Sequence, residues 1–207
     1  MKVIIGDYMN SIEYEKFVFN KYGGIMRTKE LSKEHIHYLA IQRLIMEGYV
    51  EKIRYGYYKW MNENNQSEIS TIIALFPDGI LCMNTALFYY GYSDRTPLEW
   101  HIAVSKDSGK SRFEIDYPFV KPYYIEPLYL KVGLAEGDID GIKVKIFDKD
   151  RVICDCLRYM NKMDKETFNK AIQAYVSDTK KNIPNLMKYA EKLRVSTKVK
   201  TLIGVWL

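Results

Sequence analysis

The sequence has few cysteines and no long apolar run. Its three cysteines, Cys82, Cys154 and Cys156, are an odd number without a C-x-x-C pair, a pattern typical of reduced thiols in the cytoplasm. No stretch of 18 apolar residues is present, which argues against a membrane-spanning helix. The apolar stretch at the start is too short for a secretory signal. We therefore expect a cytoplasmic chain without a membrane partner.

Recognisable catalytic signatures are missing as well. The sequence contains no P-loop, no G-x-G-x-x-G and no G-x-S-x-G. The three histidines, His35, His37 and His101, lack the cysteine or carboxylate spacing of a zinc site. These absences predict a protein that is not an enzyme and that needs no cofactor or metal.

One acidic group could be misread as catalytic. Asp148, Asp150 and Asp155 lie near Arg151, and metal-dependent nucleases use clustered carboxylates. Ordinary helix chemistry explains the same residues: Asp150 as an N-cap, Asp155 as the i,i+4 partner of Arg151, and Asp148 in a polar turn. We favour the structural interpretation, and a DNA-targeted nuclease remains the alternative.

Charge is unevenly distributed along the 207 residues. The net charge of +5 divides into +2 for residues 1–66, −4 for residues 67–150 and +7 for residues 151–207. A basic end of this kind indicates a polyanionic partner, although a solvated helical surface has the same composition. Hydrophobic residues make up 47% of the chain, so it can bury a sizeable core.

The N-terminal third predicts a helix, a short extended segment, two more helices and a hairpin. Residues 11–22 have helical spacing and end at a glycine pair, and residues 25–26 are extended. Thr28 is a suitable N-cap for a short helix to Lys33, and the next helix is expected at residues 34–47. This order is the signature of a winged helix-turn-helix, which places one helix in the DNA major groove.

The second of these helices is the predicted reading helix. On a helical wheel its apolar face is directed to the core, and its opposite face carries the candidate base contacts His35, Tyr38, Gln42 and Arg43. Glutamine can bind adenine at two points and arginine can bind guanine in the same way. His37 is predicted to be packed in the protein.

The hairpin at residues 49–60, with its turn at Tyr55-Gly56, is the predicted wing. Lys52 and Arg54 are two residues apart and should face one row of phosphates, next to Tyr55. Arg27, Lys29 and Lys33 flank the shorter helix and are further phosphate candidates. A winged helix used for protein–protein contact is the alternative.

Beyond this module we expect a linker at residues 62–67 and a second domain at residues 68–207, after a first domain at residues 1–61. The fold class is therefore α+β: a winged helix-turn-helix, then a mixed α/β domain with a helical, basic C-terminal region. Six basic residues of that region could contact DNA or, alternatively, RNA: Lys181, Lys188, Lys192, Arg194, Lys198 and Lys200.

Several phrases resemble a known family. GGIMRTKEL, LIMEGYVEKI and RYGYY are similar to the N-terminal domain of the AbiEi antitoxins of abortive-infection systems. ALFPDGILCMNTALFYYGYSD, LEWHIAVSKDSGKSR and IKVKIFDKDRVICDCLRY resemble that family's second domain. The resemblance covers most of residues 11–193, although LSKEHI lacks the glycine common in the family at that turn.

The resemblance implies a type IV antitoxin. Such a protein binds inverted repeats upstream of its own operon and represses transcription, while its second domain counteracts a nucleotidyltransferase-like toxin without forming a stable complex. We expect a monomer in solution, with more than one copy on double-stranded DNA. A ligand-sensing transcription factor is a further alternative.

Overall fold

The computed structural model describes residues 10–61 and 67–204. The chain forms two compact units, which are described separately: unit 1 is Met1–Pro77 with Glu114–Tyr117, and unit 2 is Asp78–Phe113 with Pro118–Leu207. Of the predicted linker at residues 62–67, only Ser67 lies within the described residues. Unit 1 extends past the predicted boundary at residue 61, and Tyr117 rejoins it by donating a hydrogen bond to Glu68.

Unit 1 follows the predicted order of elements and also includes a helix from residues 68–75, a stretch that was assigned from the sequence to the second domain. Its elements are α1 (Ser11–Lys21), β1 (Ile25–Arg27), α2 (Thr28–Lys33), α3 (Tyr38–Met46), β2 (Val50–Arg54), β3 (Tyr57–Trp60) and α4 (Glu68–Leu75). Asn10 starts α1, because its side chain accepts the backbone N–H of Ile12 and Glu13 completes the capping box. At α2 the prediction was one residue off: Arg27 is the capping position, and Thr28 is the first helical residue.

The three strands of unit 1 form an antiparallel sheet in the order β1-β3-β2. The predicted hairpin is confirmed, with its tip at Gly56 in the left-handed region (φ 76°), a conformation that glycine adopts without strain. Helices α1, α2 and α3 pack against the side of this sheet that carries Tyr58 and Trp60. Their shared core consists of Val18, Phe19, Met26, Leu31, Ile36, Ile41, Leu44, Val50, Tyr58 and Trp60.

The predicted reading helix begins later than expected. It was predicted over residues 34–47, but α3 starts at Tyr38. Residue His35 has a left-handed backbone (φ 62°), and the next residue, Ile36, turns into the core with 3% exposure. The segment before α3 is therefore a turn anchored by one buried side chain, and His35 lies outside the helix.

Unit 2 is built on a mixed five-stranded sheet with helices. Its elements are β4 (Ile80–Leu81), α5 (Met83–Tyr89), β5 (Trp100–Ser105), β6 (Val120–Ile125), α6 (Pro127–Leu130), β7 (Leu134–Ile139), β8 (Ile142–Phe147), α7 (Lys149–Tyr159), α8 (Lys165–Ser177), α9 (Ile183–Lys192) and α10 (Ser196–Leu202). The strand order is β6-β5-β4-β8-β7, with β4–β8 and β5–β6 parallel and the other pairs antiparallel. The predicted α+β class is confirmed at this level.

Helix α7 is the buried centre of unit 2. Its N-cap is Asp148, whose side chain accepts the backbone N–H of Arg151, so the prediction of Asp150 as the cap was wrong. Asp150 is the second residue of α7 and accepts hydrogen bonds from the Tyr175 hydroxyl of α8 (2.7 Å) and the Asn182 backbone N–H before α9 (2.9 Å). These bonds join α7 to the two helices that follow it.

Two helices of unit 2 start at residue types that favour a helix N-terminus. Asp164 caps α8 and Pro184 lies in the first turn of α9, positions that these two residue types favour. Within the part of the chain that the structure describes, no helix has both the length and the apolar character to cross a membrane.

Candidate nucleic-acid interface

Helix α3 presents a largely apolar surface outwards. Ile41 and Leu44 are buried in the core, which turns the opposite side of the helix to solvent. On that side Tyr38 is 68% exposed and Leu39 is 81% exposed. Gln42 lies one turn after Tyr38 on the same side and is half-buried. Its amide has no hydrogen-bond partner among the described residues. We call Tyr38, Leu39, Gln42 and Met46 the outer face of α3.

Two members of this face were not predicted from the sequence. Leu39 and Met46 were assigned to neither face of the predicted helix, yet both are strongly exposed, Met46 at 87%. The sequence indicates their exposure only through helical spacing, which places both on the side of the helix opposite the buried Ile41 and Leu44. Predicted contacts Tyr38 and Gln42 do lie on the outer face.

Arg43 is engaged inside the unit. Its Nη2 lies 2.6 Å from both carboxylate oxygens of Glu15 and donates to Ser11 Oγ at 3.2 Å. Glu15 is on α1 and only 4% exposed, so this ion pair ties α3 to α1. Burial raises the pKa of Glu15 more than the nearby guanidinium lowers it. The structure therefore places Arg43 in an ion pair within unit 1, which conflicts with its predicted role as a base contact.

The two histidines precede α3. His37 is its N-cap residue, and its ring centroid is 6.4 Å from that of His35. Both side chains are exposed, so the prediction that His37 is packed was wrong. Since they stand at the entrance of the helix, they are placed where a phosphate would approach the free N–H groups of its first turn.

The hairpin separates its two cations. The pairing register shifts between Lys52 and Arg54, so the expected alternation of side chains is interrupted. Arg54 stacks on the Tyr57 ring at 4.0 Å and donates to the Leu75 carbonyl at 3.2 Å. Lys52 stays exposed, with Nζ 5.8 Å from the ring of Tyr55, which is 92% exposed at the tip. The prediction that Lys52 and Arg54 face one row of phosphates therefore does not hold. Lys52 and Tyr55 remain exposed, and Arg54 is bonded within the unit.

Three more cations flank α2. Lys29 and Lys33 are exposed and have no ion-pair partner among the described residues. Arg27 lies 5.4 Å from the centroid of the Tyr57 ring on β3. Lys29, Lys33 and Lys52 are thus the free cations closest in sequence to α3. We call these three the lysine flank.

The predicted basic residues of unit 2 fall into two groups. Lys181 donates to the Val176 and Asp178 carbonyls, and Lys198 donates to the Leu157 carbonyl at 2.7 Å, so both close helix ends. The other four are exposed and have no ion-pair partner among the described residues: Lys188, Lys192, Arg194 and Lys200. Only this second group is free to meet a polyanion.

The carboxylates of α7 are occupied by protein donors. Asp148 accepts the Tyr189 hydroxyl in addition to its capping bond, and Asp155 accepts Arg151 Nε at 3.0 Å. Burial raises the pKa of both carboxyls. Within the described residues, no group of three or more His, Cys, Asp or Glu side chains is arranged to hold a metal ion. The confirmed Arg151–Asp155 pair is a buried structural contact.

No protein-family model matches the chain, and no curated protein matches its sequence. The geometry of unit 1 and the resemblance of the motifs therefore carry the functional proposal.

Proposed function

We propose that unit 1 is a winged helix-turn-helix that binds duplex DNA, with α3 in the major groove and the β2–β3 hairpin as the wing. The order helix, strand, helix, helix, hairpin and the sheet order β1-β3-β2 support this proposal. So does the tight turn between α2 and α3, since two helices joined in this way present the second one to the groove.

The single observation that carries the proposal is the outer face of α3. A helix in a small unit normally buries its large apolar side chains, yet Tyr38, Leu39 and Met46 are more than half exposed. The lysine flank provides positive charge on the neighbouring elements α2 and β2. An exposed, unpartnered helix face between cations fits a groove lined by phosphates.

For the whole chain we propose an antitoxin that represses its own operon in the cytoplasm. The support is the resemblance of its motifs to the AbiEi antitoxins together with the DNA-binding geometry of unit 1. In this proposal several copies bind inverted repeats. Unit 2 counteracts a nucleotidyltransferase-like toxin without a stable complex, and its free basic residues contact DNA or RNA.

Binding to the DNA upstream of the chain's own reading frame tests the first part. Fluorescence anisotropy at several salt concentrations should give a log–log slope that falls by about 2.7 when Lys29, Lys33 and Lys52 are replaced together by alanine, since each phosphate contact contributes about 0.9. A matched triple replacement at Lys110, Lys131 and Lys165, which are exposed and have no ion-pair partner among the described residues, is the control. Equal slopes for both triples would contradict the assigned interface.

Co-expression tests the second part separately. We expect the chain to restore growth to cells that express the toxin encoded beside it, and the lysine-flank variant to restore growth equally well. Absence of rescue by the unmodified chain would overturn the antitoxin assignment and leave DNA binding standing.

The ligand-sensing alternative has one feature in its favour. Unit 2 has a groove of about 390 Å³ along α8, lined by apolar side chains that include Phe168, Ile172, Val176 and Leu202. A small apolar compound that stabilises the chain, fails to stabilise Ile172→Trp and alters DNA affinity would favour this function over the antitoxin.

A further inference from the structure

The outer face of α3 offers no free cation to DNA. Arg43 is the only lysine or arginine between Tyr38 and Met46, and all nine of these residues are described. Its Nη2 is bonded to both carboxylate oxygens of the buried Glu15 at 2.6 Å, and either pair of adjacent guanidinium nitrogens that could contact a base at two points includes Nη2. The commonest specific contact with guanine is an arginine or lysine that bonds to O6 and N7, so α3 lacks the group that such a contact needs.

What the outer face does offer matches adenine and thymine. The Gln42 amide carries both a donor and an acceptor and is without a protein partner among the described residues. A glutamine amide can form two bonds with the N6 and N7 edge of adenine. Tyr38, Leu39 and Met46 supply apolar surface, and the C5-methyl of thymine is the apolar group of the major groove.

The charges around α3 determine which end enters the groove. Glu47 is the C-cap residue and is exposed, so the C-terminal end is unfavourable beside phosphates. Lys33 lies at the last position of α2, just ahead of the turn to α3. The N-terminal half of α3, with Tyr38, Leu39 and Gln42, is therefore the half that reaches the bases, as is usual for recognition helices.

We propose that α3 reads A·T base pairs, with Gln42 bound to adenine and Leu39 against the methyl group of thymine. This inference rests on the proposed DNA binding and specifies the sequence class that is bound. The lysine flank contacts phosphates and carries no sequence information. His35 and His37 stand before the helix and bind the backbone as well.

A random-duplex library is the first probe. Selection with the full chain should return sites whose most strongly selected positions are A·T. The thymines of the best site are then replaced by deoxyuridine, which removes the methyl group and keeps every hydrogen-bonding group. We expect affinity to fall about fourfold for each thymine covered by α3, the ratio expected for one buried methyl group.

Two variants assign the contacts. Leu39→Ala should bind the thymine and deoxyuridine duplexes equally, while Leu98→Ala, which removes a side chain that is 94% exposed in unit 2, should keep the difference. Gln42→Met keeps the side-chain length but loses the amide. It should reduce the preference for adenine at one position from about tenfold to under twofold.

The outcomes separate the two proposals. Retention of duplexes with selected G·C positions, or equal affinity for thymine and deoxyuridine sites, overturns the A·T assignment while DNA binding stands. Failure to retain any duplex overturns the DNA-binding proposal, and this inference with it.

Discussion

Replacing Arg43 by alanine should destabilise unit 1 and leave DNA recognition intact. The change removes the arginine bonded to Glu15, whose side chain is 6% exposed, and among the described residues leaves the Ser11 hydroxyl, at 3.4 Å, as the remaining side-chain donor to this carboxylate. Hydrogen bonds to charged groups contribute about 1.5–3 kcal/mol, and breaking a fully buried pair costs about 3–5 kcal/mol. Because the Arg43 side chain is 41% exposed, water can replace part of the lost contact. We expect a loss of about 2 kcal/mol.

The double variant tests this reasoning. Adding Glu15→Met to Arg43→Ala replaces the buried pair by apolar side chains, an exchange that is often neutral in proteins. The double variant should therefore return to within about 1 kcal/mol of the unmodified chain. Urea unfolding followed by the fluorescence of the buried Trp60 measures this, in a background where Trp100 and Trp206 are phenylalanine.

The pH dependence supplies a second readout. A carboxyl whose pKa is raised on folding binds its proton more tightly in the folded state, so protonation favours folding. In Arg43→Ala the pKa of Glu15 should rise further, because the guanidinium no longer lowers it. The destabilisation is then largest at neutral pH and shrinks as the pH falls through the raised pKa towards 4.5.

Two results would refute this account. Unchanged stability of Arg43→Ala would mean that the ion pair contributes nothing to unit 1. A tenfold loss of DNA affinity in a variant of unchanged stability would identify Arg43 as a base contact and contradict the A·T assignment. We expect the affinity of the folded variant to change by less than twofold.

Three further predictions concern unit 2. Burial lowers the pKa of His101 to about 4, so between pH 6.5 and 4 only the unfolded imidazole takes up a proton. The free energy of unfolding of unit 2 should therefore fall by up to about 3 kcal/mol over this range. Urea unfolding of His101→Gln should show a flatter pH profile. Gly133→Ala should lower the stability measured by thermal unfolding by about 2–4 kcal/mol, because Gly133 has φ 70° and the new Cβ would lie 2.4 Å from Arg151 Cβ on α7. Gly141→Ala is the control: with φ 79° and open space around it, it should cost about 1 kcal/mol. Replacing Lys188 and Lys192 together by alanine should lower the salt slope of DNA binding by about 1.8, and an unchanged slope would assign this pair to solvent or to RNA.

Local signals made most elements predictable. The hairpin follows from alternating residues around Gly56, and the starts of α8 and α9 follow from Asp164 and Pro184. Strand β7 (Leu134–Ile139) has no comparable local signal, because it is an edge strand with a glycine and two acidic residues and lacks the apolar run of a buried strand.

The errors came from contacts distant in sequence. The start of α3 was misplaced because burial of Ile36 forces a turn that residue spacing does not reveal. Arg43 was read as a base contact because its partner, Glu15, is 28 residues away and on another helix. Asp148 and Asp150 are equally good caps locally, and only Tyr175 and Asn182 decide between them.

The bonds that Asp150 accepts from Tyr175 and Asn182 limit how the basic end of the chain can be studied. A chain that ends before residue 175 would leave the Asp150 carboxylate, which is 5% exposed, without the donors Tyr175 and Asn182. It would also lack Lys198, which donates to the Leu157 carbonyl near the end of α7. Any loss of binding by such a truncated chain would reflect the destabilised core of unit 2, whatever the missing helices bind. The role of the C-terminal cations can therefore be separated from folding only by surface point substitutions in the intact chain.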